Sequence, residues 1–141
     1  NNGDQINKCT LSGRIGNIVC NLAAESEVIN CVNNGDIDLT VEGYSGTVGG
    51  LIALVGSDVK CQVKGGGNYG TIKTLSTAGK YIGLLWANHN KTVPTSDMVV
   101  SGRLFIDGKE VEINADNYMS YLGYVKDPTC LSNITWVAPT K

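Results

Sequence analysis

A side chain that does chemistry at neutral pH must titrate near it or be an activated nucleophile, and the sequence offers few. Its one histidine, His89, is followed closely by Ser96 and Asp97. A nucleophile, base and orienting acid could run acyl transfer if the fold fixed their geometry. All three fall in one polar stretch with nothing to fix it, so His89 reads as a solvated loop histidine. The cysteines, Cys9, Cys20, Cys31, Cys61 and Cys130, contain no Cys-x-x-Cys pair, and a lone histidine cannot complete a zinc set. No metal or cofactor is expected. Paired carboxylates could cleave a polysaccharide, but Asp36, Asp38, Glu42, Asp58, Asp97, Glu110, Glu112 and Asp116 are scattered and read as turn formers or strand-surface charges. The Asn-Gly-Asp turns lack the dense alternating acids of calcium repeats. No catalytic residue is expected, and the chain is read as non-enzymatic.

Binding needs less. Sugars stack on exposed aromatic faces flanked by amides and carboxylates, and Trp86 with Asn88, His89 and Asn90 is the cluster best suited to that. The alternative is that Trp86 caps the core beneath a loop. Asn90-Lys91-Thr92 and Asn133-Ile134-Thr135 fit the glycosylation sequon. Thirteen acidic and eleven basic side chains leave a net charge of −2, with no basic stripe for phosphates, so no nucleic-acid partner is expected. No apolar run approaches the roughly 20 residues of a membrane helix.

The elements that position these residues are short strands. Eighteen glycines and three prolines, with abundant Asn, Thr, Ser and Val, describe an all-β chain with tight turns. Its 141 residues suit one domain with a real core. Internal similarity then decides the fold. Gly13-Arg14-Ile15-Gly16 recurs at Gly46-Thr47-Val48-Gly49-Gly50 and at Gly79-Lys80-Tyr81-Ile82-Gly83, each 33 residues after the last, and Tyr121-Leu122-Gly123-Tyr124 echoes it 40 further on. A turn element, Asn1-Asn2-Gly3-Asp4, recurs at Asn33-Asn34-Gly35-Asp36, with Tyr69-Gly70-Thr71 and Asp107-Gly108 as degenerate copies. A third element, Ile29-Asn30-Cys31-Val32, is echoed by Val59-Lys60-Cys61-Gln62 and by Val99-Val100-Ser101-Gly102.

Units too short to bury a face alone become stable by stacking, each strand pairing with its counterpart about 4.8 Å above. The reading is a parallel β-solenoid of about four rungs with a repeat near 33 residues; a two-sheet sandwich is the competing architecture for short strands with frequent turns. Stacking predicts ladders of Ile15, Val48 and Tyr81, and of Ile18, Leu51, Leu84 and Tyr124. It also places Cys31 on Cys61 as buried, reduced thiols in neighbouring rungs, with Cys9 and Cys20 a possible bridge. The third unit is stretched between its glycine segment and Val99, which predicts a long polar loop over Asn88–Asp97. Leu104 to Ile113 reads as a hairpin on Asp107-Gly108.

Val48-Gly49-Gly50-Leu51-Ile52-Ala53-Leu54-Val55-Gly56, with Val59-Lys60-Cys61 downstream, resembles the GLUG-repeat family, whose motif centres on Gly-Leu-hydrophobic-Gly. The resemblance spans roughly residues 13 to 125, and Gly83-Leu84-Leu85-Trp86 departs from it by lacking the closing glycine. It implies a bacterial extracellular or cell-surface setting and an adhesin-like or spacer role, with a host glycan or surface protein as partner. The chain opens on a copy of its own turn element, as expected of a piece of a longer array with flanking repeats. A carbohydrate-binding module is the alternative function, and a fragment of a polysaccharide-degrading β-helix enzyme the third.

Overall fold

The computed structural model describes residues 2–6, 13–40, 46–76 and 79–140. Four strands make each coil. The first coil runs β1 (Gln5–Ile6), β2 (Gly13–Gly16), β3 (Val19–Leu22) and β4 (Glu27–Asn33). The second runs β5 (Ile37–Leu39), β6 (Gly46–Gly49), β7 (Ile52–Val55) and β8 (Gln62–Asn68). The third runs β9 (Ile72–Thr74), β10 (Gly79–Gly83), β11 (Trp86–His89) and β12 (Thr95–Val100). A partial fourth holds β13 (Leu104–Ile106), β14 (Lys109–Glu110), β15 (Tyr124–Val125) and β16 (Leu131–Trp136), with short 3-10 turns at Tyr118–Tyr121 and Pro128–Cys130.

Corresponding strands stack in four sheets, β1-β5-β9-β13, β2-β6-β10, β3-β7-β11-β15 and β4-β8-β12-β16, each pairing parallel. The protein is therefore an all-β parallel β-solenoid, of about three turns, where four rungs were expected. In the last coil the second sheet gains no strand among the described residues. Residues 111–123 pass over that end instead, and the expected hairpin turns on Asp107 (φ 52°) and Gly108 (φ 77°) to pair β14 antiparallel to β13.

Stacking converts sequence into columns. Leu22, Val55, His89 and Val125 are in register, as are Val28, Val63, Thr95 and Leu131, and Ile37, Ile72 and Leu104. The buried apolar members of these columns form one core cluster with Leu51, Leu85 and Trp86, and Val125 and Leu131 pack against it. In sheets buried by such stacking, the apolar column rather than any single strand carries the stability.

The glycine segments align as expected at Gly13, Gly46 and Gly79. A β-bulge after Gly79 then adds one residue, so Gly83 rather than Ile82 pairs with Gly49, which itself pairs with Gly16. One extra residue reverses every side chain that follows. The predicted ladders are corrected accordingly. Ile82, not Tyr81, follows Ile15 and Val48, while hydrogen bonds from Ile18 N to Leu51 O, Leu51 N to Leu85 O and Leu85 N to Leu122 O put Leu85 and Leu122 where Leu84 and Tyr124 were expected. Tyr124 pairs with Asn88 and meets Tyr81 ring to ring at 5.4 Å.

The turn element also holds, with one exchange. Gly3, Gly35, Gly70 and Gly102 form the fourth-to-first-sheet corner, so Gly102 is the last member and Asp107-Gly108 belongs to the hairpin. A Cβ on Gly35 would overlap the Gly3 carbonyl, one on Gly70 that of Gly35, and one on Gly102 that of Gly70. The third element fails. Register places Cys31 beside Gly66 and Ile29 beside Lys64, so Cys31 and Cys61 do not stack. Cys61 lies just before β8 and donates to Ala23 O at 3.1 Å. The pairing of Val28 with Val63 sets this register. Cys20, Cys31, Cys61 and Cys130 are free thiols; Cys9 lies outside the described residues.

The same correction removes the long third loop: with Thr95 aligned to Val63, the three segments Gly13–Val28, Gly46–Val63 and Gly79–Thr95 are nearly equal in length. Asn88 and His89 belong to β11, Thr95 to Asp97 to β12, and only 90–94 turn the corner.

Candidate functional site

The residues singled out for sugar stacking are not assembled at the surface. Trp86 is 1 % exposed and His89 is fully enclosed; Asn88 is half-buried and Asn90 exposed. Trp86 starts β11 and points into the solenoid because its column partner is the core residue Ile52. Its indole presents no face to solvent, which corrects the reading of Trp86 as an aromatic platform and leaves it a core residue. His89 is corrected from solvated loop to core. It occupies a column filled by Leu22, Val55 and Val125 in the other coils.

Across the core from that column stands Thr95, which likewise replaces Val28, Val63 and Leu131. The two polar intruders of the third coil meet one another, with His89 Nε2 2.8 Å from Thr95 Oγ1, while the buried His89 Nδ1 has no hydrogen-bond partner among the described residues. The Thr95 hydroxyl donates its only proton to Val93 O at 3.0 Å, so His89 Nε2–H must be the donor of the pair. Burial drives the His89 pKa below its ordinary value, against smaller opposing contributions from the His89 and Lys91 backbone and from Asp127. The ring is neutral, and Trp86 packs edge-on against it at 5.0 Å.

A histidine, a carboxylate and a thiol do approach one another at this corner. Asp127 caps the second 3-10 turn through Thr129 N, and Cys130 Sγ donates to Asp127 O at 2.9 Å. Burial and the Asp127 charge push the Cys130 thiol up. A nucleophilic thiol needs the opposite shift, and a cysteine–histidine couple needs a histidine that accepts a proton readily. The histidine and the thiol of this corner are therefore both held in their neutral forms, beside the charged Asp127. Outside it, Asn90, Asp58, Lys91, Thr92, Lys126 and Asp127 surround a shallow hollow of about 320 Å³.

The acids are no more concentrated. Asp4 Oδ1 accepts from Asp36 N at 2.8 Å, and Asp36 Oδ1 from Thr71 N at 2.7 Å, a ladder that ties neighbouring coils. Asp97 Oδ1 accepts from Asn133 Nδ2 at 2.8 Å, and Asp107 holds Ser76 N. Glu42 lies outside the described residues.

Sequence reading missed a groove along the fourth-to-first-sheet corner, where two adjoining hollows share Arg103 and Pro139 as walls. One, of about 300 Å³, lies between the hairpin and the end of β16, lined by Arg103, Glu110, Glu112, Ile113 and Trp136. Arg103 Nε sits 3.5 Å from Glu110 Oε1. Trp136 is half-buried, its Nε1 enclosed without a protein partner among the described residues. The other, of about 400 Å³, continues past Ser101 to Tyr69, Asn34, Asp36 and Asp4. Tyr69, at 45 % exposure, is among the large side chains left open to solvent. Only the turn element hinted at this place: its middle positions, Asn34, Tyr69 and Ser101, share one corner, and the variable residue in a repeated turn is the one free to recognise something. Trp136, beyond the last repeat, carried no such signal.

No family model matches the chain, and neither a curated protein nor a solved structure matches it.

Proposed function

We propose that this chain is a non-enzymatic module of an extracellular or cell-surface protein, an adhesin-like interaction surface or structural spacer set among flanking repeats, in the manner of the GLUG-repeat proteins it resembles. The observation that carries this reading is the use to which its polar side chains are put. Asn33 Nδ2 donates to Asn68 Oδ1 at 2.8 Å, each asparagine also closes its own turn on Gly35 or Gly70, and Asp4, Asp36, Asp97 and Asn133 tie further coil to coil. Groups so engaged hold a scaffold together. His89 and Cys130, which have catalytic chemistry in other settings, are held neutral and hydrogen-bonded here.

The test is incubation of the folded chain with a panel of plant, bacterial and host polysaccharides, followed by assay of reducing ends and of unsaturated uronate absorbance, in parallel with retention of the chain on host cell surfaces. Retention or inertness without released ends agrees with the proposal. Catalytic release of either kind of end overturns it.

A further inference from the structure

We propose that the groove between Tyr69 and Trp136 is a binding site for a neutral glycan, which deepens the interaction-surface reading and rests on it. Two aromatic rings bound the groove, Tyr69 on the second-to-third-coil corner and Trp136 at the end of β16, with Arg103 between. Each hollow, about 300 and 400 Å³, is of small-molecule size, where roughly 300–1,000 Å³ is usual. Aromatic faces supply the apolar contact that a pyranose C–H face requires, and Tyr69 and Trp136 provide one at either end of the groove.

The polar lining suits hydroxyls in the same way. In Asp4 and Asp36 the ladder bonds use Oδ1. Their Oδ2 atoms can accept from a ligand while the backbone holds each carboxylate in place. Arg103 meets Glu110 through Nε, and Glu112 stands in the same hollow. Planar, pre-positioned acceptors beside a guanidinium match vicinal hydroxyl pairs. Charge then selects among glycans. Asp4, Asp36, Glu110 and Glu112 outnumber the single cation, Arg103, so uronate and sulfated chains are repelled and neutral hexose or N-acetylhexosamine chains are admitted.

The experiment titrates the 141-residue chain with neutral cello-, manno-, galacto- and chito-tetrasaccharides, with a heparin tetrasaccharide and polylysine as charged probes, by calorimetry and tryptophan emission. Trp86 is enclosed and Trp136 borders the groove, so a Trp86→Phe chain reports from Trp136 alone. We expect saturable binding of at least one neutral tetrasaccharide and an emission shift retained in Trp86→Phe. Tyr69→Ala and Glu112→Gln, both at open positions, should each weaken binding about tenfold with unchanged thermal midpoints. Preference for heparin, binding of polylysine alone, a blank neutral panel with folded protein, or affinity unaltered by both substitutions overturns the site. A blank panel alongside retention on cell surfaces would defeat the glycan site and leave the interaction module standing, whereas released sugar ends would defeat the module reading itself.

Discussion

His89 and Thr95 are a polar exchange inside two otherwise apolar columns, and each residue is tolerated because of the other. Removing Thr95 leaves the buried His89 Nε2–H without an acceptor and removing His89 leaves its volume empty, whereas replacing both by the residues of the coil below restores the column. His89→Val and Thr95→Val alone should each cost about 1–3 kcal/mol, and the double variant less than the sum, read from urea midpoints. The same pair sets the pH response. The folded-state pKa of His89 is lowered, so near pH 6 the unfolded chain binds more protons and stability rises with pH. Stability from this residue is fully present above its ordinary value of 6.5 and is lost as pH falls below it. The thermal midpoint of the native chain should decline from pH 7.5 to pH 5, and that of the double variant should stay flat over this window. Asp107 and Asp127, held below their ordinary 3.8 chiefly by hydrogen bonds from Ser76 and Thr129, add a separate decline at more acid pH. None of this was legible in the sequence, where His89 among Asn88, Asn90 and Lys91 has the composition of a loop. What hid it was register: only alignment with Val55 and Leu22 shows that its position faces inward.

At the scale of the strand, the fourth sheet carries a bend that recurs in every coil. Asn30, Gly65, Asp97 and Asn133 take up equivalent positions with φ of 52°, 76°, 59° and 51°. Gly, Asn and Asp are the residues that enter this left-handed region at least cost. Asp97→Ala should therefore lower stability by about 1–2 kcal/mol, through a disfavoured backbone and the lost bond from Asn133, measured by thermal melting. This bend explains why the third sequence element misled. Cys31 follows one left-handed residue, Asn30 (φ 52°), and Cys61 follows another, Lys60 (φ 53°), so the local sequences look alike. Lys60 nonetheless stacks on the turn at Glu25, to which Val59 O bonds through Glu25 N at 2.7 Å. The glycine segments and the Gly3, Gly35 and Gly70 turns were legible because close stacking of coils restricts the residue type there, whereas Asp107-Gly108, read as a further copy, belongs to the hairpin. Strand interiors carry a weaker signal, since Val, Ile and Leu serve any inward position, and the single bulge after Gly79 shifted two ladders by one residue.

For the molecule as a whole, stability is a sum of coil-to-coil interfaces. Strands β6, β7 and β8 are paired on both edges, while β2, β3 and β4 are paired on one. Amide exchange should be slowest in the second coil and faster in the first, a gradient that hydrogen-exchange mass spectrometry can resolve; uniform protection would show a single cooperative unit instead. The asparagine ladder joins the first coil to the second, so Asn68→Ala, which strips partners from Asn33 and Gly70, should cost about 2–3 kcal/mol in urea unfolding. The solenoid itself was evident from the recurrence of its corners, because a repeat imposes itself on sequence in a way that a groove does not. The binding groove is made from the outer faces of those corners, where stacking imposes nothing. The column of Gly3, Gly35, Gly70 and Gly102 has one more consequence. Gly35, Gly70 and Gly102 each lie so close to the carbonyl of the coil before that no side chain fits between them. The glycines are 32, 35 and 32 residues apart, so a gain or loss of a few residues is absorbed elsewhere in the coil and the corner itself keeps its glycine. Chain length can therefore change during descent by whole coils or within the turns and bulges between corners, while the corner column tolerates no residue but glycine.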